Sequence, residues 1–149
     1  MVNIENKQHT IKINISKLRE DAHHILGVLD YDDYDLGIWL MDNSSIQEYN
    51  KKYRHKDKPT DILSFAYYDK LKPGERIVPP TEDDKNLGDL MISLEYVHDE
   101  YKTDFYERVR RLLVHGICHL LGYDHETDAE YEVMKKMEDS LLEKLDNTN

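Results

Sequence analysis

Apolar positions along the chain recur with a period of two in some stretches and near 3.6 in others, and the switches between the two rhythms divide it into elements. Residues 10–15 (Thr-Ile-Lys-Ile-Asn-Ile) alternate and predict a first strand. Ser16 is suited to cap a helix to about residue 27, with Leu18, Ala22, Ile25 and Leu26 on its apolar face. Residues 36–41, centred on Trp39, predict a second strand; Asp42 or Ser44 then caps a helix over about 45–54. A turn at 56–59 leads into a third strand over 61–67. The stretch 69–86 carries Pro73, Gly74, Pro79, Pro80 and an acidic cluster; too long for a tight hairpin, it reads as a mobile surface loop or lid. Residues 87–93 predict a fourth strand and 93–101 a short helix. Asp104 caps a long helix to 121, with Phe105, Val109, Leu112, Leu113, Ile117 and Leu120 on its buried side. Thr127 or Asp128 caps a last helix to about 145, using Tyr131, Met134, Leu141, Leu142 and Leu145. The order β-α-β-α-β-β-α-α-α predicts a single α+β domain over 1–149, with a mixed four-stranded sheet and helices segregated toward one end.

Composition narrows the function classes. No apolar run is long enough for a membrane span. The N-terminus reads Met-Val-Asn-Ile-Glu-Asn-Lys, without a basic-then-apolar signal segment, and there is a single cysteine, Cys118. The expected compartment is therefore the cytoplasm. A net charge of −11 does not suggest a general polyanion binder. Positive charge is nevertheless concentrated at Lys51-Lys-Tyr-Arg-His-Lys-Asp-Lys58, where five Lys/Arg stand against one Asp. Arg108, Arg110 and Arg111 form a second basic group.

The chemistry concentrates in His115-Gly-Ile-Cys-His119-Leu-Leu-Gly122-Tyr-Asp-His125. His115 and His119 are one helical turn apart and share a face. Gly122 permits the positive-φ turn that ends a helix and can swing His125 back toward them. Three imidazoles leave one position of a tetrahedral zinc open, the pattern of a catalytic site. Iron, nickel or copper could take the same ligands. The competing reading is a polar helix face with a capping histidine. Cys118 points about 100° away from His119 and reads as a small buried residue. Gly116 stands where a zinc protease of this spacing carries its glutamate base.

These residues resemble the signature of the YbeY family, bacterial endoribonucleases of ribosomal RNA maturation. Tyr49-Asn-Lys-Lys-Tyr-Arg54-His-Lys-Asp-Lys-Pro59-Thr-Asp-Ile-Leu-Ser-Phe65 is similar to the family's Leu-Asn-x-x-Tyr-Arg and Thr-Asp-Val-Leu-Ser-Phe blocks, and Leu87-Gly-Asp-Leu to its Leu-Gly-Asp-Ile. The resemblance spans about residues 36–126; Ala66 replaces the usual Pro and Tyr49 the usual Leu, neither of them a proposed ligand. It implies a zincin-like fold, one metal on the three histidines, single-stranded RNA as substrate, and a role in 16S rRNA 3′-end maturation and ribosome quality control. It also implies a functional role for Arg54.

A guanidinium can clamp two phosphate oxygens, so Arg54 suits the charge that develops on a phosphodiester under attack. Arg54 and His115 are the expected catalytic residues, His115, His119 and His125 the metal ligands. On its own, Arg54 reads equally well as a surface partner of Asp57 or Asp61. Arg108, Arg111, His115 and His119 form one helical stripe, which makes Arg111 either a second phosphate contact or part of a solvated face. Lys58, with Lys51, Lys52 and Lys56, is expected to add salt-dependent attraction to RNA. Asp124 reads as a carboxylate supporting the turn or a ligand, or alternatively as a general base. The acidic total charge implies weak binding to bare RNA, so the small ribosomal subunit or an associated protein is the expected partner. Two alternatives stay open: a zinc peptidase with a displaced base, and a non-catalytic ribosome-associated zinc module.

Overall fold

Residues 2–6, not 10–15, supply the first strand in the computed structural model, which describes residues 1–147. Both stretches alternate, and the side chain of Gln8 decides between them. Its amide accepts from the N–H groups of Thr10 (3.2 Å) and Ile11 (2.8 Å) and donates to the Ile11 carbonyl (2.9 Å). Those backbone groups are thereby engaged locally and a turn results. Ile11 and Ile13 still pack against the core, which explains their apolar rhythm. The cap of the following helix shifts accordingly: Asn14, not Ser16, accepts from the Lys17 N–H (3.1 Å).

The strands are β1 (Val2–Asn6), β2 (Asp35–Met41), β3 (Ile62–Ala66) and β4 (Asn86–Ser93). They form one mixed sheet in the order β1-β2-β4-β3, with β3 antiparallel to β4 and the other pairs parallel. The helices are α1 (Ile15–Val28), α2 (Asn43–Arg54), α3 (Leu94–Glu100), α4 (Phe105–Leu120) and α5 (Asp128–Asp146). Strand alternation sorts the apolar residues onto two faces. Leu36, Ile38, Leu40, Leu90 and Ile92 enter the main core with α1, α4 and α5. Met41, Leu63 and Met91 join Ile46 of α2 in a smaller cluster rimmed by Trp39, Tyr49 and Phe65. Helices therefore lie on both sheet faces, α2 alone on one of them, rather than being segregated to one end. This sandwiching leaves β3 as a free edge, with α2 on one side and α4 on the other.

The caps refine other boundaries. Asp42 caps α2, and Thr127 caps α5 in a capping box with Glu130. Asp104 precedes α4 in a left-handed conformation (φ 56°) and makes no side-chain capping bond. On α5, Met134, Leu141 and Leu145 are buried, whereas Tyr131 is exposed. Arg110 is only 7% exposed and meets Asp146 (2.8 Å), Asp21 (3.5 Å) and Glu107 (3.5 Å), so it ties α4 to α1 and α5 instead of joining a basic surface.

The 69–86 stretch is tethered and does not form a free lid. The Arg76 guanidinium lies 3.9 Å from the Tyr31 ring centroid and donates to the Leu29 carbonyl (2.8 Å). Ile77 is buried, and its N–H donates to the Tyr31 hydroxyl (3.1 Å). Tyr67 donates to the Asp84 carboxylate (2.7 Å) and Tyr68 to the Asp84 carbonyl. No helix among the described residues is long and apolar enough to cross a membrane.

Candidate metal centre and cleft

The geometry of the three histidines follows from how α4 ends. Leu121 is the C-cap, and Gly122 follows with φ 94°. The Gly122 N–H donates to the His119 carbonyl (3.0 Å) and the Tyr123 N–H to the Cys118 carbonyl (3.1 Å), the pair of bonds that defines a Schellman turn. A Cβ at residue 122 would also lie 2.1 Å from the Leu71 carbonyl oxygen, so glycine is required by space as well as by φ. The reversal carries His125 back over α4 and anchors buried Tyr123, whose own carbonyl turns toward His119.

One donor atom from each of His115, His119 and His125 lies within 4.8 Å of the others. His119 Nδ1 is 2.9 Å from the Tyr123 carbonyl, which can only accept, so Nδ1 carries the proton and Nε2 a bare lone pair. His115 Nδ1 is 2.9 Å from a Glu138 carboxylate oxygen, which fixes the same tautomer. The two Nε2 atoms then face each other at 3.1 Å. Two lone pairs at that distance repel unless a cation lies between them. Tetrahedral zinc bonds of ~2.0–2.1 Å place neighbouring nitrogens about 3.3 Å apart, so the donor set fits a metal ion. Burial, reinforced by the facing His115, holds His119 below the usual imidazole range and favours the neutral ligand form. Cys118 is fully buried in the main core, which pushes its thiol up to about 12, and its sulfur is not part of the converging donor set.

Glu138 is the residue that sequence reasoning missed. It projects from α5, 23 positions beyond His115. The signal was present: Glu138 continues the Met134–Leu141–Leu145 stripe, and a carboxylate in an apolar stripe demands a partner. Carboxylates that accept from a ligating imidazole orient it and raise its basicity. Glu138→Ala is therefore expected to weaken metal affinity roughly 10- to 100-fold, read by competition against a chromophoric chelator. An unchanged affinity would reduce Glu138 to a packing contact.

Gly116 explains why no base follows the first histidine. It is buried, and a Cβ there would lie 2.7 Å from Leu90 Cδ2 and 2.8 Å from Ile62 Cδ1. Helix α4 rests closely on β3 and β4 here, so a side chain at 116 enters only if these terminal methyl groups shift. Gly116→Ala should cost ~1–3 kcal/mol by overpacking, of which alanine's helix propensity returns up to ~1 kcal/mol, for a net loss of stability. Urea unfolding of the metal-free protein checks this; a variant as stable as wild type would contradict it.

The histidines open into a cleft of about 820 Å³ along the free edge of β3, lined also by Arg54, Lys56, Lys58, Asp61, Ser64, Asp69 and Asp124. Arg54 reaches it from the last turn of α2. Neither Asp57 nor Asp61 is its partner: Asp57 meets Gln47 (3.0 Å) and Lys51 (3.8 Å), and Asp61 accepts from the Ile62 N–H (2.7 Å). Arg54 instead donates one bond to the Ser64 carbonyl (2.8 Å), with its guanidinium 5.3 Å from the Phe65 ring centroid. Its remaining N–H groups are available to an anion. Lys58 stands in a turn secured by Asn50, which donates to the Lys58 carbonyl (2.9 Å). Arg111 lies apart from this cleft, in a smaller groove of about 280 Å³ shared with Arg108, His115, Lys135 and Glu138, and pairs with Glu107 (3.4 Å). The Asp124 carboxylate accepts from the His125 N–H (2.8 Å) and so supports the turn. Met134 is buried and Met137 packs beside it against the core.

Comparison with known proteins bears on the family and the fold. The family model described as Endoribonuclease YbeY matches residues 3–146. The chain is 38% identical over 144 residues to the Homo sapiens protein named Endoribonuclease YbeY, covering 95% of this chain and 86% of that one. It is 40% identical over 132 residues to the protein of the same name from Persephonella marina, covering 86% and 81%. The solution structure of TM1509 from Thermotoga maritima shares the fold, with a TM-score of 0.57 at 22% identity over 99% of this chain and 93% of that one. The matched region contains all of the sheet except Val2, all five helices, the three histidines and Arg54, and the chain belongs to the YbeY endoribonuclease family.

Proposed function

We propose that this protein is a metal-dependent, single-strand-specific endoribonuclease of ribosomal RNA, acting as one hydrolase domain in the cytoplasm on 16S rRNA 3′-end maturation and ribosome quality control. The observation that carries the chemistry is the pair of bare Nε2 atoms at 3.1 Å, opening into the same cleft as Arg54. His115, His119 and His125 would hold one zinc ion. When bound, zinc supplies Lewis acidity and lowers the pKa of a coordinated water.

The protein's own residues do the rest. Glu138 and the Tyr123 carbonyl keep two imidazoles in the ligating tautomer. Arg54, held by the Ser64 carbonyl, presents its remaining N–H groups to the phosphate oxygens and stabilises the negative charge that grows there. Lys58 attracts the strand along the main cleft, and Arg111 contacts it on the far side of His115. Glycine at 116, where a zinc protease of this spacing carries its glutamate base, disfavours the peptidase reading. With a net charge of −11, free RNA is held weakly overall, so the small ribosomal subunit or an associated protein supplies the targeting.

The test compares purified metal-loaded protein on a single-stranded oligoribonucleotide, the same sequence as a duplex, and casein. Cleavage of the single strand alone is expected. Cleavage of casein, or equal cleavage of duplex and single strand, would overturn the proposal.

A further inference from the structure

We propose that Tyr53 forms a base-stacking subsite for single-stranded RNA, next to the phosphate contact at Arg54; this rests on the endoribonuclease reading above. Tyr53 is 47% exposed on the last turn of α2. A lone exposed aromatic needs no explanation, but this ring is braced. It lies parallel to Tyr49, with centroids 6.2 Å apart and planes 10° apart, and meets Phe65 at 5.3 Å and 73°. A ring held in this way loses little freedom when a base is laid on it.

The surroundings identify the occupant. Tyr53 lies inside a strongly basic segment of an acidic chain, between Lys51 and Lys58. The Lys52 ammonium is 5.2 Å from its ring centroid, on a flexible exposed side chain that can swing to the phosphate of a stacked nucleotide. Phe65 links the ring to the cleft, because the Tyr53 ring and the Arg54 guanidinium both lie 5.3 Å from the Phe65 ring centroid. Arg54 then passes round the free edge of β3 to the Ser64 carbonyl and the histidine cleft. A strand whose phosphate meets Arg54 thus has a neighbouring base within reach of Tyr53. A duplex cannot offer that base, since both its faces are already stacked, so the subsite selects for single strands.

The experiment measures KM and kcat of the metal-loaded protein on a fluorophore–quencher single-stranded oligoribonucleotide, with wild type, Tyr53→Phe and Tyr53→Leu, and a thermal melt of each. Tyr53→Leu is expected to raise KM roughly 5- to 150-fold, the range for one base–aromatic stack, with kcat and melting temperature near wild type. Tyr53→Phe keeps the ring and should keep the wild-type KM. A Tyr53→Leu protein with wild-type KM, or a Phe variant as impaired as Leu, would overturn the proposal while leaving the endoribonuclease reading standing. Unchanged KM together with lost binding to small ribosomal subunits would also overturn it, and would assign the ring to a protein partner. A wild-type protein that leaves RNA intact would remove the endoribonuclease reading itself, and the subsite with it.

Discussion

His119→Ala is expected to lose both metal retention and RNA cleavage while remaining folded. The side chain is half-buried, oriented by the Tyr123 carbonyl at 2.9 Å and facing His115 Nε2 at 3.1 Å. Loss of an orienting partner already weakens metal sites by ~10–100-fold, and loss of a ligand from a three-imidazole set should exceed that range. Alanine suits the α4 interior, so helix formation does not oppose the change. The substitution also removes the repulsion between two lone pairs that the metal-free protein has to tolerate. The metal-free variant should therefore melt close to metal-free wild type. Added zinc should raise the melting temperature of wild type alone, since only a protein that binds the ion in its native state gains from mass action. A zinc-induced shift of equal size in both proteins would show that the ion binds elsewhere.

Arg54→Ala is expected to lower kcat/KM on single-stranded RNA by roughly 10²–10³, the usual cost of removing one donor aimed at developing negative charge. Zinc content should not change, because Arg54 touches none of the histidines' orienting partners. Stability should change by less than ~1 kcal/mol, since the residue is exposed and its interactions are one bond to the Ser64 carbonyl and one contact with Phe65. Arg54→Lys should recover only part of the loss: an ammonium is a point charge and cannot bond to a backbone carbonyl and two phosphate oxygens in one fixed plane. Measured rates within threefold of wild type for Arg54→Ala would return Arg54 to the role of a surface residue fastening α2 to β3.

The helices and the histidine set were legible because both rest on local spacing. His115 and His119 share a face by helix geometry alone, and Gly122 marks the turn that returns His125. The features that sequence left hidden depend on tertiary partners. Glu138 meets His115 only because α5 packs back along α4. The partner of Arg54 is a main-chain carbonyl, which no side-chain pattern announces, and so Asp57 and Asp61 looked equally suitable. The alternation at 10–15 matches that of a strand, and Gln8 overrides it by occupying the backbone groups that pairing would need. Arg110 stands in a run of surface arginines by sequence, yet it faces Asp21 and Asp146 across two helices. The 69–86 stretch has the composition of a mobile loop but is fastened at Arg76, Ile77 and Asp84.

In the proposed function the three histidines and Arg54 act as one metal-dependent, phosphodiester-cleaving centre. The measurement that tests it most directly is a zinc titration of chelator-stripped protein, with cleavage of a single-stranded oligoribonucleotide followed at each point for wild type and His119→Ala. No cleavage is expected without metal, with a linear rise that breaks at one zinc per chain for wild type and no rise for the variant. RNA cleavage by the stripped protein, or an equal rise for His119→Ala, would contradict it.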